Sequence, residues 1–179
     1  MRLSIIDFGA IPDGKSDSRH AIQQAIDTAK QGDVVVIPKG HFRSSSIILT
    51  SHTSLHLSDG AFLQGVDDIH LYTSFSKLAS KTLDLDETPT WENCEYTGRP
   101  AQFFIYAKDV SNITITGKGV IDGNEAIYYG KRLPEFIEGA YYPRIPLIFF
   151  EHVKHLVIQD VTIQKSGFGQ CIWWVVNMF

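Results

Sequence analysis

Two segments of the chain are copies of one unit. Asp109-Val110-Ser111-Asn112-Ile113-Thr114-Ile115 aligns with His152-Val153-Lys154-His155-Leu156-Val157-Ile158. Each copy continues through a short turn into a second apolar pair, Val120-Ile121 in one and Val161-Thr162-Ile163 in the other. Thr53-Ser54-Leu55-His56-Leu57 with Gly60-Ala61-Phe62-Leu63 is a weaker third copy. Strands this short cannot bury an inner face alone. Stacked coil on coil they share one continuous core of Ile, Val and Leu, which is the logic of a solenoid. A β-sandwich would instead need hairpin turns, for which Asn-Gly is the strongest short signal, and the chain has no Asn-Gly. The expected fold class is all-β, a parallel β-helix.

Helical periodicity is convincing once. Ser16, Asp17 and Ser18 are good cap residues, and Ala21, Ile22, Ala25, Ile26 and Ala29 form one apolar stripe, with Lys30 in the last turn and Gly32 as the stop. This predicts a capping α-helix near 17–31, laid across the end of the solenoid where strand edges and apolar side chains would otherwise be exposed. Residues 1–40 then form the N-terminal cap and first coil, and 41–168 the remaining coils. Long loops leave the coils near 67–100 and 125–146, both polar and weakly periodic, the usual place for ligand contacts on such a scaffold.

Composition narrows the function classes. The chain has 179 residues, 44% hydrophobic and 20% charged, which suits a folded domain with a core. A formal net charge of -4 argues against nucleic acid or an anionic membrane as partner. Two cysteines give no disulfide framework, and no apolar run approaches the roughly 18 residues of a membrane span. The start, Met1-Arg2-Leu3-Ser4, shows no signal peptide, so the expected compartment is the cytoplasm.

Asp7-Phe8-Gly9-Ala10, Asp13-Gly14-Lys15-Ser16-Asp17 and the helix after them resemble the start of many pectin-lyase-like right-handed β-helices. Asn112-Ile113-Thr114-Ile115-Thr116-Gly117-Lys118-Gly119-Val120-Ile121-Asp122-Gly123-Asn124 resembles more narrowly the segment typical of glycoside hydrolase family 28, the polygalacturonases. Leu55–Leu63, Leu147–Glu151 and Val161–Ser166 follow in that family's order, so the resemblance covers roughly residues 3 to 168. It departs after Asp122-Gly123-Asn124, where Glu125-Ala126-Ile127-Tyr128-Tyr129 replaces Gly and tryptophans. It departs again at Arg144-Ile145-Pro146, in place of an Arg-Pro step.

The resemblance implies inverting hydrolysis of galacturonide linkages. One carboxylic acid protonates the leaving oxygen, and a carboxylate roughly 6.5–9.5 Å away activates water. The family supplies these from an Asn-Thr-Asp segment and an Asp-Asp pair, followed by Gly-His-Gly and Arg-Ile-Lys. This chain has no Asn-Thr-Asp, and its one Asp-Asp, Asp67-Asp68, reads as two solvated loop acids. Gly40-His41-Phe42 reads as a corner after Pro38-Lys39, and Asp122 as a turn residue bonding its own backbone. His152 and His155 read as surface histidines rather than metal ligands, so no catalytic residue, metal or cofactor is assigned. For galacturonide binding the candidates are Trp91, Tyr141 and Tyr142, stacking on pyranose faces, and Arg99 and Arg144, pairing with uronate carboxylates. Tyr128, Tyr129, Lys131 and Arg132 are further loop residues of the same kinds.

Residues 169–179 form an atypical tail without alternation or turn chemistry, holding two of the three tryptophans. Read one base out of frame, Phe168–Phe179 permits Trp-Thr-Val-His-Leu-Val-Gly-Cys-Lys-His-Val, which resembles the family's next coil. The expectation is a truncated β-helix whose gene lost a base near the Phe168 codon; the rival is a native apolar tail capping the open coil. Either way three functions compete. The first is the N-terminal part of a polygalacturonase-like hydrolase of imported oligogalacturonides, inactive alone. The second is a non-catalytic β-helix, carbohydrate-binding or structural. The third, a lyase, would need a calcium site of clustered carboxylates that the sequence does not show. Self-association through the open coil end is expected in addition.

Overall fold

The computed structural model describes residues 1–74, 90–91, 99–100, 102–128 and 145–174. The chain opens with β1 (Arg2–Ser4), a turn of 3-10 helix (Ile5–Phe8), β2 (Asp13–Asp17) and α1 (Arg19–Thr28). It then winds through β3 (Val34–Ile37), β4 (Gly40–Ser44), β5 (Ile47–Ile48), β6 (Ser54–Leu57) and β7 (Ala61–Gly65). A long excursion carries β8 (Thr90–Trp91) and β9 (Arg99–Pro100). The next coil is β10 (Ile105–Lys108), β11 (Ser111–Gly117) and β12 (Val120–Asp122). The last are β13 (Pro146–Glu151), β14 (Lys154–Gln159), β15 (Thr162–Gln164) and β16 (Phe168–Trp174).

Three sheets form the coils, and β8 and β9 pair apart from them. The first has the order β1-β3-β6-β11-β14, the second β2-β4-β7-β12-β15 and the third β5-β10-β13-β16. Every pairing inside them is parallel, and each strand's sheet neighbours lie one coil away, which is a parallel β-helix. The repeat read from the sequence is the register of the structure: Ile113 pairs with Leu156, Ile115 with Ile158 and Leu55, and Ile121 with Ile163 and Leu63.

Because side chains alternate across a strand, each register line becomes a column in the core. Val35, Leu55 and Ile115 make one column, Phe42, Leu63 and Ile121 a second, and Ile47, Ile105 and Ile148 a third, all without solvent exposure. Cys171 extends the third column, and burial pushes its thiol pKa up. Gly117 closes a corner at φ +110, where an added Cβ would lie 2.0 Å from the Leu57 carbonyl oxygen. Only glycine permits that approach of one coil to the next.

Two local expectations need correction. The helix runs from Arg19 to Thr28, not from 17 to 31. Asp17 ends β2, where its carboxylate accepts from the Arg19 and Ser45 amides, and the chain leaves the helix at extended Ala29 rather than at Gly32. Lys30 is therefore outside the helix. Gly40-His41-Phe42 is no corner but the first half of β4, because pairing with β7 draws it into the second sheet. No helix among the described residues is long and apolar enough to cross a membrane.

Candidate functional site

Both long connections lead into the third sheet, one ending at β10 and the other at β13. On β10 and β13, Ile105, Ala107, Ile148 and Phe150 point into the core, so Tyr106, Lys108, Phe149 and Glu151 face outward. Register stacks Ile48, Tyr106 and Phe149 in one row and Lys108 beside Glu151 in the next. Phe103, Tyr106 and Phe149 form an aromatic cluster separate from the main core. The Phe103 and Tyr106 rings lie 4.8 Å apart, and Tyr106 and Phe149 stack at 5.8 Å with 14° between planes.

The polar end of this outer face is equally built. Tyr106 Oη donates to Glu151 Oε2, and Glu151 is 2% exposed. Lys108 Nζ lies 3.9 Å from Asp109 Oδ2. The phenol holds the buried carboxylate, and Lys108 shares its register row. Sequence reasoning missed these three residues. The signal was available, because extending the 109–115 and 152–158 repeat one residue towards the N-terminus aligns Lys108 with Glu151.

Two of the five predicted binding residues lie among the described residues. Trp91 and Arg99 lie on the paired strands β8 and β9, with Thr90 opposite Arg99 and Trp91 opposite Pro100. Tyr141, Tyr142 and Arg144 lie outside the described residues, as do Tyr129, Lys131 and Arg132. Tyr128 does not offer a stacking face: it is 1% exposed, its hydroxyl bonds the Ile145 backbone and burial pushes its pKa up. Its ring packs where a side chain at Gly167 would sit, so it ties the loop to the next coil.

The second sheet carries a different polar array. Gln64, Asp122 and Gln164 occupy successive coils in register. Asp122, fully buried, accepts through Oδ1 from the Asn124 backbone amide at 2.9 Å and Gln64 Nε2 at 3.2 Å, and through Oδ2 from Gln164 Nε2 at 2.9 Å. Lys165 Nζ is 3.8 Å away. The turn bond to its own backbone was legible in the sequence; the amide ladder was not. It satisfies a buried charge and clips three coils together. His41 Nε2 joins the ladder at Gln64 Oε1, 3.0 Å away.

Asp67 and Asp68 both have structural partners. Asp67 Oδ1 accepts from Arg43 Nη1 and from Asn124 Nδ2, and these bonds hold its pKa below the ordinary value. Asp68 caps the 3-10 turn Ile69–Leu71 by accepting from the His70 amide. His152 sits in a left-handed turn with Nδ1 3.0 Å from Asp109 Oδ1, and His155 on β14 is exposed. Among the described residues no three His, Cys, Asp or Glu side chains are placed to hold a metal ion.

Comparison with known proteins agrees with this architecture. An exo-poly-α-D-galacturonosidase from Dickeya chrysanthemi is 31% identical over 122 residues, 68% of this chain and 19% of that protein. A probable polygalacturonase from Vitis vinifera is 27% identical over 170 residues, 91% of this chain and 32% of that one. The chain thus spans a fifth to a third of the length of these relatives. The family 28 exopolygalacturonase structure from Yersinia enterocolitica shares the fold with a TM-score of 0.69 at 24% identity, covering 97% of this chain and 38% of that one. The family described as rhamnogalacturonase A/epimerase, pectate lyase-like, matches residues 3–169. This parallel β-helix, with relatives among the family 28 polygalacturonases, belongs to the rhamnogalacturonase A/epimerase, pectate lyase-like family.

Proposed function

We propose that the chain forms the first coils and one sugar-binding wall of a polygalacturonase-like glycoside hydrolase, one that cleaves galacturonide linkages with inversion. One observation carries this reading. By chain order, the connection that bears Trp91 and Arg99 and the one that bears Tyr141, Tyr142 and Arg144 run into β10 and β13, neighbouring strands of the third sheet. Arginines pair with uronate carboxylates, and aromatic faces pack on pyranose rings. Family membership and the names of the relatives support the substrate class.

The 179-residue polypeptide itself binds without turnover. Inverting hydrolysis needs an acid and a base on opposite sides of the bond, and the sequence holds no Asn-Thr-Asp to supply one. Calorimetric titration with galacturonan oligomers is expected to show saturable binding, weakened about tenfold by Arg99→Ala or Arg144→Ala. A reducing-sugar assay on the same sample is expected to show no cleavage. Release of galacturonate by the purified chain overturns the inactivity, and absence of binding at millimolar oligomer overturns the wall.

The reading includes a surface for self-association. Among the described residues β14 and β15 lie at the edges of their sheets, and Leu156, Ile158 and Ile163 are only partly buried. Light scattering is expected to show mass rising with concentration; a monomer throughout excludes this part.

A further inference from the structure

A second polar surface lies on the first sheet, away from the galacturonide wall. Outward side chains of three adjacent coils fall in one row there: His56 on β6, Thr116 on β11 and Gln159 on β14. His56 Nδ1 is 3.2 Å from Thr116 Oγ1, which steadies both. The turns that end these strands add Asp59, Lys118 and Asp160, and the six side chains surround a recess of about 440 Å³. Gly117 contributes no side chain to it, whereas Asp160, one position past Gln159 on the next coil and also at positive φ, projects a carboxylate. The recess is therefore a gap between coils, bounded by turns of unequal size.

Its chemistry is that of hydroxyl recognition. Among the described residues, the side chains of Asp59, Lys118, Gln159 and Asp160 make no hydrogen bond to protein. They offer carboxylate acceptors, ammonium donors and an amide that does both. Two carboxylates against one ammonium leave the recess net negative, which disfavours a uronate. None of the lining residues is the Trp, Tyr or Arg that anchors protein partners. The volume lies in the ligand-pocket range of about 300–1,000 Å³. Parallel strands repeat at about 4.8 Å along the stack, close to the advance per ring of an extended pyranose chain. The row can then meet successive rings.

We propose that this recess binds a neutral oligosaccharide running along the stack axis across β6, β11 and β14. The site is separate from the galacturonide wall, so the scaffold grips uncharged and charged stretches of a heteropolysaccharide on different faces.

The test is NMR titration of the full isotope-labelled chain with neutral tetrasaccharides from galactan, xylan and mannan, and with tetragalacturonate in a parallel arm. At least one neutral probe is expected to give saturable shifts at His56, Thr116 and Gln159, and tetragalacturonate none there. Gln159→Ala and Asp160→Asn, which change exposed side chains and keep a residue tolerant of positive φ at 160, are each expected to weaken neutral binding about tenfold. They are expected to leave tetragalacturonate binding unchanged. No shift in that row from any neutral probe up to about 10 mM overturns the proposal, as does neutral binding unaffected by both substitutions. Tetragalacturonate shifts elsewhere report on the wall independently, so the two readings fail separately.

Discussion

At one end of the stack α1 lies against the first coil, and Ile22 and Ile26 are 0% and 2% exposed while Ile5, Val35 and Ile37 beside them are fully covered. At the other end, Leu156, Ile158 and Ile163 are only partly buried. Yet the residues one coil earlier in the same columns, Ile113, Ile115 and Ile121, have no exposure at all. Ile115 and Ile158 have the same side chain, strand type and register. Among the described residues, Ile115 has a paired strand on each side and Ile158 on one. Burial in a solenoid belongs to a position in the stack rather than to a residue, and a coil stacked on one side gains less apolar stabilisation than one stacked on both.

The contrast is broken most directly by truncating one isoleucine at each place. Ile22→Ala and Ile115→Ala remove fully buried methyl groups and are expected to cost about 2–5 kcal/mol each in urea unfolding. Ile158→Ala is expected to cost about 1 kcal/mol, since its site can be reached by water and leaves no closed cavity. Equal losses at 115 and 158 would mean the last coil is covered as well as the middle one.

How much of this was legible follows from what sets each feature. The repeat gave the register to the residue, because a core column demands an apolar side chain at the same place in every coil. Asp59-Gly60, elsewhere a hairpin signal, makes only a corner here, with Gly60 at φ +76 and parallel strands either side. The residues that distinguish corner from reversal lie a coil away in sequence. The helix ends were misjudged for a similar reason: Asp17 has a long-range partner in Ser45, which no local cap rule weighs. The outer face of the third sheet was legible only in part: extending the repeat aligns Lys108 with Glu151, but the contacts of Tyr106 with Phe149 and Glu151 join positions 43 and 45 residues apart and exist only after coiling. The Asp122 ladder was hidden likewise, with Gln64 and Gln164 58 and 42 residues away. The loop aromatics and arginines, by contrast, were chosen by residue type alone, and Tyr128 shows the weakness of that choice.

Acid narrows the difference between the ends, by a smaller amount. Asp13 is held at a pKa of about 2 by the Ser16 and Lys15 amides and the Ser16 hydroxyl, Asp33 is lowered by the N-terminal amine and the Lys30 amide, and Asp67 is lowered by Arg43 and Asn124. All three belong to the α1-capped end and the coils next to it. Their folded pKa values lie below the ordinary 3.8, so between the two values the unfolded chain binds more protons. Their stabilisation is complete above about pH 5 and drains away as pH falls towards 2. Since Asp13 and Asp67 are largely exposed and Asp33 is half-buried, solvent screening keeps the effect modest. The urea midpoint is expected to fall over that range, and Asp67→Asn to flatten the fall by removing one of the three contributions. Hydrogen exchange locates the loss: on acidification, protection at β3 and β4, corrected for intrinsic rates, should decline towards that of β14 and β15. If protection at the capped end holds constant while β14 alone loses it, then α1 packing rather than these carboxylates fixes the advantage of that end.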